Sequence, residues 1–74
     1  MKLIPSGEYK KVYVPVLVDS NNEEVVAGED FNTSEEAEKF GVAMANEYLE
    51  ETGDLGFIRI ETRLITCYRM EKKQ

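Results

Sequence analysis

The chain has 74 residues, a formal net charge of -6, one cysteine and no histidine. That length fits one domain with a small core, in which burial and chain entropy nearly cancel unless something further supports the fold, and self-association is the obvious support. The composition excludes an intrachain disulfide, imidazole-based catalysis and histidine-containing zinc sites, and no apolar run approaches the roughly 18 residues of a membrane span.

Residues 1–8 read as a lead-in, with Pro5, Ser6 and Gly7 forming a turn. They lack the apolar core of a signal peptide, so the expected location is cytoplasmic. The lead-in and the tail 71–74 are expected to be mobile. A first strand is predicted from Tyr9 to Val18. Its alternation sets Val12, Val14, Val16 and Val18 against Lys11, Tyr13, Pro15 and Leu17, with the valines toward the core. Pro15 has no N–H to donate, so it belongs on an edge strand or, if the strand is central, at a bulge. Asp19, Ser20, Asn21 and Asn22 make a hairpin turn into a shorter strand, Glu23 to Ala27.

The segment Thr33 to Thr52 is the one confident helix, because Ala37, Phe40, Gly41, Met44, Ala45 and Tyr48 recur at three- and four-residue steps. Thr33 with Glu36 fits a capping box, Asn32 is a competing cap, and Phe31 is a candidate hydrophobic staple. Gly53 suits a left-handed closing residue. Gly41 lies inside the apolar stripe, where close approach of helix to sheet would explain it. A third strand begins near Phe57 and runs about 12 residues. Ile58, Ile60, Thr62, Leu64, Thr66 and Tyr68 share one face, and Phe57, Arg59, Glu61, Arg63, Ile65, Cys67 and Arg69 share the other.

This order predicts an α+β fold over residues 1–74: a two-layer ββαβ sandwich with one amphipathic helix on a three-stranded antiparallel or mixed sheet. The sheet becomes four-stranded if Lys2 to Ile4 folds back as an added strand. The third strand carries no Gly or Pro to blunt its pairing, so self-association through residues 57–69 or the sheet face is expected.

Charge is unevenly spread. Between Asp19 and Asp54 stand twelve acidic residues against Lys39 alone, whereas the remaining residues are net basic. On the predicted fold the helix side is acidic, and the outer sheet face presents Tyr9, Lys11, Tyr13, Arg59, Arg63 and Arg69.

The leading functional expectation is a non-enzymatic binding or regulatory module of the inhibitor, antitoxin or phage-encoded modulator type. It would be a homodimer engaging a protein partner through Glu47, Glu50, Glu51 and Asp54, which crowd a helix C-terminus where the macrodipole disfavours them. The alternative is single-stranded nucleic acid or a nucleotide-like anion on the tyrosine and arginine face, which the net negative charge opposes. An enzyme is the least supported class: no catalytic constellation, metal-ligand spacing, phosphate loop or cofactor motif is present. Asp19, Asn21, Glu23 and Asp30 loosely follow calcium-loop spacing, but Glu24 replaces the required glycine, and a hairpin turn explains them better. Cys67 reads as a small semi-buried residue. Thr33-Ser34-Glu35-Glu36-Ala37 after a hairpin resembles the helix start of HicB-type antitoxins and of the arm-binding domains of phage integrases. The same turn is what helix capping alone selects, so it assigns no family.

Overall fold

The computed structural model describes residues 2–71. Strand β1 spans Leu3–Val18, β2 Glu24–Ala27, helix α1 Ser34–Thr52 and β3 Phe57–Met70. The protein is α+β, and the three strands among the described residues form one antiparallel sheet in the order β2-β1-β3.

The local signals act as their chemistry requires. The Asp19 carboxylate accepts the N–H groups of Asn21 and Glu23 at 2.9 and 3.0 Å, and Asn22 takes the left-handed conformation at φ 64°, which closes the β1–β2 hairpin. Thr33 caps α1, accepting the Glu36 N–H at 3.2 Å. The Glu36 carboxylate accepts from the Thr33 hydroxyl at 3.1 Å, so the box closes side chain to side chain. Gly53 at φ 78° donates to the Leu49 carbonyl at 2.8 Å, and the Thr52 hydroxyl takes the Tyr48 carbonyl at 2.7 Å. Phe31 packs on Phe40 with ring centroids 5.3 Å apart, and its backbone exchanges hydrogen bonds with Tyr13, which ties the helix entry to the sheet.

Three expectations need correction. Residues 3–8 are no loose lead-in, and Leu3 and Ile4 add no fourth strand: they extend β1, pairing with Met70 and Arg69. The reason lies in β3, whose 14 residues need an equally long neighbour. The tail residues 72–74 lie outside the described residues.

Pro15 sits in the central strand without a bulge. The register shifts fall instead at Leu17/Val18 and between Pro5 and Tyr9. Tyr13 donates to Phe31, and the Pro15 carbonyl accepts from Gly28 at 2.8 Å, so the missing Pro15 N–H also points toward the β2 side. There it falls opposite Gly28, just past the end of β2, so β2 itself loses no ladder bond.

The helix lies over the other face of β1 from the one predicted. A Cβ on Gly41 would stand 2.6 Å from Ile58 Cγ2 and 3.4 Å from Pro15 Cβ, so α1 covers the side of Pro15, Leu17, Ile58 and Ile60. Val12, Val14, Val16 and Val18 point away from it and are nonetheless at most 5% exposed. Their cross-strand neighbours are Arg63, Glu61, Arg59 and Phe57. Arg59 reaches 3.9 Å from Glu24 on β2, a contact that must pass over β1, so the aliphatic stems of these charged residues roof the valines.

Because the register pairs Leu3–Lys11 of β1 with Leu64–Met70 of β3 alone, the two strands project as a ribbon. The chain measures 61 × 22 × 17 Å, and its 17.1 Å radius of gyration exceeds the roughly 11 Å of a compact chain of this length. The charge division therefore runs end to end rather than face to face: an acidic body carries an arm bearing Lys2, Lys10, Lys11 and Arg69 against Glu8 and Glu71.

Candidate binding surface

The acidic cluster rests on the last turns of α1, held by the Thr52 and Gly53 cap, with no basic residue in the final turn. Glu47 and Glu51 are one turn apart, and both border a groove floored by Val25, Val26, Met44 and Tyr48. Leu17 closes its base. Val25 and Val26 remain 45% and 48% exposed on a four-residue edge strand. Glu50 lies about 100° further round the helix than Glu51, on the exposed crown. Asp54 lies beyond the cap, its N–H donating to the Thr52 hydroxyl at 3.1 Å, beside a depression shared with Asn21, Leu55 and Phe57. The structure thus joins Glu47 to Glu51 on one groove and sets Glu50 and Asp54 on neighbouring surfaces.

The groove's apolar floor was not legible in the sequence. Its signal was a short strand, Glu24–Ala27, with consecutive valines and, among the described residues, no strand on its far side.

The tyrosine and arginine set does not form one surface. Tyr9, Lys11 and Tyr13 fall on the pleat face that α1 covers further along, whereas Arg59, Arg63 and Arg69 fall on the opposite face. The Lys11 ammonium stands 5.9 Å from the Tyr13 ring centroid, and so occupies an aromatic face that a base would need. Cys67, expected to be semi-buried, is exposed on the arm.

On the valine face Glu61 accepts from Arg59 at 2.9 Å and from Arg63 at 2.8 Å. The Arg63 hydrogen bond, followed by that from Arg59, holds the Glu61 carboxyl below its ordinary value, and the Glu61 hydrogen bond raises Arg63. A depressed carboxylate contributes stability that is present above its unfolded pKa and lost as pH falls through the folded one. Arg63 stays cationic throughout and adds no pH dependence. A side-chain carboxyl NMR titration is therefore expected to place the Glu61 midpoint below that of an ordinary glutamate. In Glu61→Gln the corresponding part of the acid-side loss of stability should disappear; a midpoint at the ordinary value would refute the bridging geometry.

No protein-family model, curated protein or solved structure matches the chain. Among the described residues no helix is long and apolar enough to cross a membrane.

Proposed function

We propose that this chain is a small non-enzymatic binding module, of the inhibitor, antitoxin or modulator type, acting in the cytoplasm. Its two-layer ββαβ sandwich presents an acidic helix surface to a protein partner. The observation that supports the reading is the pairing of carboxylates with an apolar groove: Glu47 and Glu51 overhang exposed Val25 and Val26 beside the open edge of β2. The chemistry suits an extended, basic segment. Its backbone would add to the β2 edge, its alternate apolar side chains would enter the groove, and its lysines or arginines would meet Glu47 and Glu51, with Glu50 on the crown adding attraction at longer range. Isolated surface carboxylates would supply only steering. An adjoining apolar floor supplies the desolvation that makes charge pairs count.

The test is Glu47→Lys, Glu50→Lys and Glu51→Lys together. Removing negative charge from a helix C-terminus favours the dipole, so the variant should fold as stably as the parent. Partner capture from the native host, followed by titration of the purified captured protein, is expected to weaken on the order of 100-fold, with the parent complex losing affinity as salt rises. Undiminished capture by the well-folded variant would defeat the reading.

A further inference from the structure

The arm poses a problem that the described residues do not solve. Two strands standing alone are marginal in water, because neither face is covered and both edges are open. Here Leu3, Tyr9, Leu64, Tyr68 and Met70 share one pleat face and are each between 45% and 70% exposed. That face continues the one α1 covers over Pro15 and Ile58.

The two arm edges are not equivalent. The β1 edge is blunted by Pro5 and by the register shift around Gly7, which sits at φ 83°. The β3 edge has no proline, glycine or shift from Phe57 to Met70. Glu71 donates to Lys2, and the Cys67 carbonyl accepts from Ser6, so odd-numbered residues of β3 direct their backbone groups at β1. The N–H and C=O groups of Ile58, Ile60, Thr62, Leu64, Thr66, Tyr68 and Met70 therefore line the free edge. A fitting partner strand must direct its own outward groups at these, and the even-numbered residues of a second β3, run antiparallel, do so.

We propose that two copies of this chain associate about a two-fold axis through antiparallel pairing of their β3 edges, with the axis at Ile65. Charge favours this register, which makes two kinds of opposite-charge pair among the described residues where axes at Ile60, Thr62 or Cys67 make one. Centring on Ile65 sets Glu61 opposite Arg69 of the second copy and Arg59 opposite Glu71 of the second copy. Moving the axis to Leu64 opposes Arg59 to Arg69, moving it to Thr66 opposes Arg63 to Arg69, and moving it to Arg63 opposes that residue to itself. An axis between residues would turn the apolar face of one strand to the charged face of the other.

The same arrangement covers the arm. A two-fold perpendicular to the sheet keeps both helices on one side and lays each arm beside the other copy's body, with Tyr68 and Met70 next to Thr62 and Ile60. Val42, Ala45 and Leu49 form a stripe about 140–160° around α1 from Glu47, on the flank away from β2, with Val42 54% and Leu49 42% exposed. That flank overhangs the incoming arm. It also brings the basic arm alongside the acidic body, an attraction that arm-to-arm stacking would lack.

The surface is separate from the Glu47 groove, so at about 0.15 M salt, where charges more than roughly 8 Å apart are largely screened, the lysine variant above should still dimerise, and the two readings fail independently. Sedimentation equilibrium of the parent chain at about 100 µM should give twice the chain mass. Arg69→Glu, which affects two symmetry-related pairs and opposes Glu61 to a carboxylate, should weaken the dimer by about tenfold with the circular dichroism unchanged. Ile65→Cys in a Cys67→Ser background should form a disulfide-linked dimer on mild oxidation, since facing non-hydrogen-bonded residues lie about 4.5 Å apart at Cα. Cys67 in the parent, opposite Arg63, should not cross-link. A monomer at 100 µM overturns the proposal, and so does a dimer that leaves the thiol introduced at position 65 reduced or one that links through Cys67.

Discussion

Gly41→Leu is expected to cost about 3 kcal/mol of unfolding free energy, a large fraction of what a domain of this size holds. A first side-chain carbon there would stand 2.6 Å from Ile58 Cγ2. That methyl belongs to a branched side chain paired, through Leu17, into the sheet, and cannot swing aside. Leucine would gain helix propensity of order 1 kcal/mol, but three further carbons would force α1 off Pro15 and Ile58. Gly41→Ala meets the same clash with less volume and should lose about 1 kcal/mol. Gly53→Ala isolates the other role of glycine: nothing lies within 4 Å of its added carbon, but φ is 78°, so it should lose only about 1 kcal/mol, through backbone strain. Urea unfolding of the three variants would check the order. A Gly41→Leu protein as stable as the parent would mean that the helix does not approach the sheet as described.

Val14→Asp is expected to unfold the chain at neutral pH, with a loss of about 4 kcal/mol or more. Val14 is 1% exposed although α1 is on the other side of the sheet. An aspartate would be buried among Val12 and Val16 and would face Glu61 directly across the strands. Burial and the facing Glu61 carboxylate raise its pKa, against Arg59 and Arg63, whose guanidiniums are already engaged by Glu61, so the folded state binds the proton more tightly than the unfolded state does. Stability of the variant should therefore recover as pH falls through the carboxylate range, opposite in sign to the Glu61 contribution of the parent. Val14→Thr, nearly the same volume with one hydroxyl, should lose only about 1–2 kcal/mol. Near-parental stability of Val14→Asp across pH, followed by thermal melts, would show that the charged roof leaves the valines wet.

The two variants probe opposite faces of one strand, and that division marks how far periodicity reaches. The helix ends, the turn at Asp19 and the close approach at Gly41 were legible because each depends on a few neighbouring residues: a hydroxyl that meets a helical N–H, a carboxylate that folds back on two amides, a missing Cβ. Alternation also grouped Val12 with Val18 and Pro15 with Leu17 correctly. It could not say which group the helix would cover, since both sides of β1 are apolar. Chain connectivity settles it. β2 and β3 both run antiparallel to β1 and hence parallel to each other, so β2–α1–β3 is a crossover. With Tyr13 directing its N–H toward the β2 side, a right-handed crossover places α1 on the Pro15 and Leu17 face, where it lies.

The acidic helix could be found residue by residue, but the groove beneath Glu47 and Glu51 needed β2 to lie at the sheet's edge with its valines outward. Likewise, Tyr9 and Arg63 looked like one ligand face until pairing put them on opposite sides of the pleat. Composition, capping and strand period thus set the elements, their order and the acidic stretch, because those are consequences of local spacing. Strand pairing alone set the long arm, the buried valine face and the end-to-end separation of charge. These depend on contacts between Leu3 and Met70, or Val12 and Arg63, that lie more than fifty residues apart along the chain.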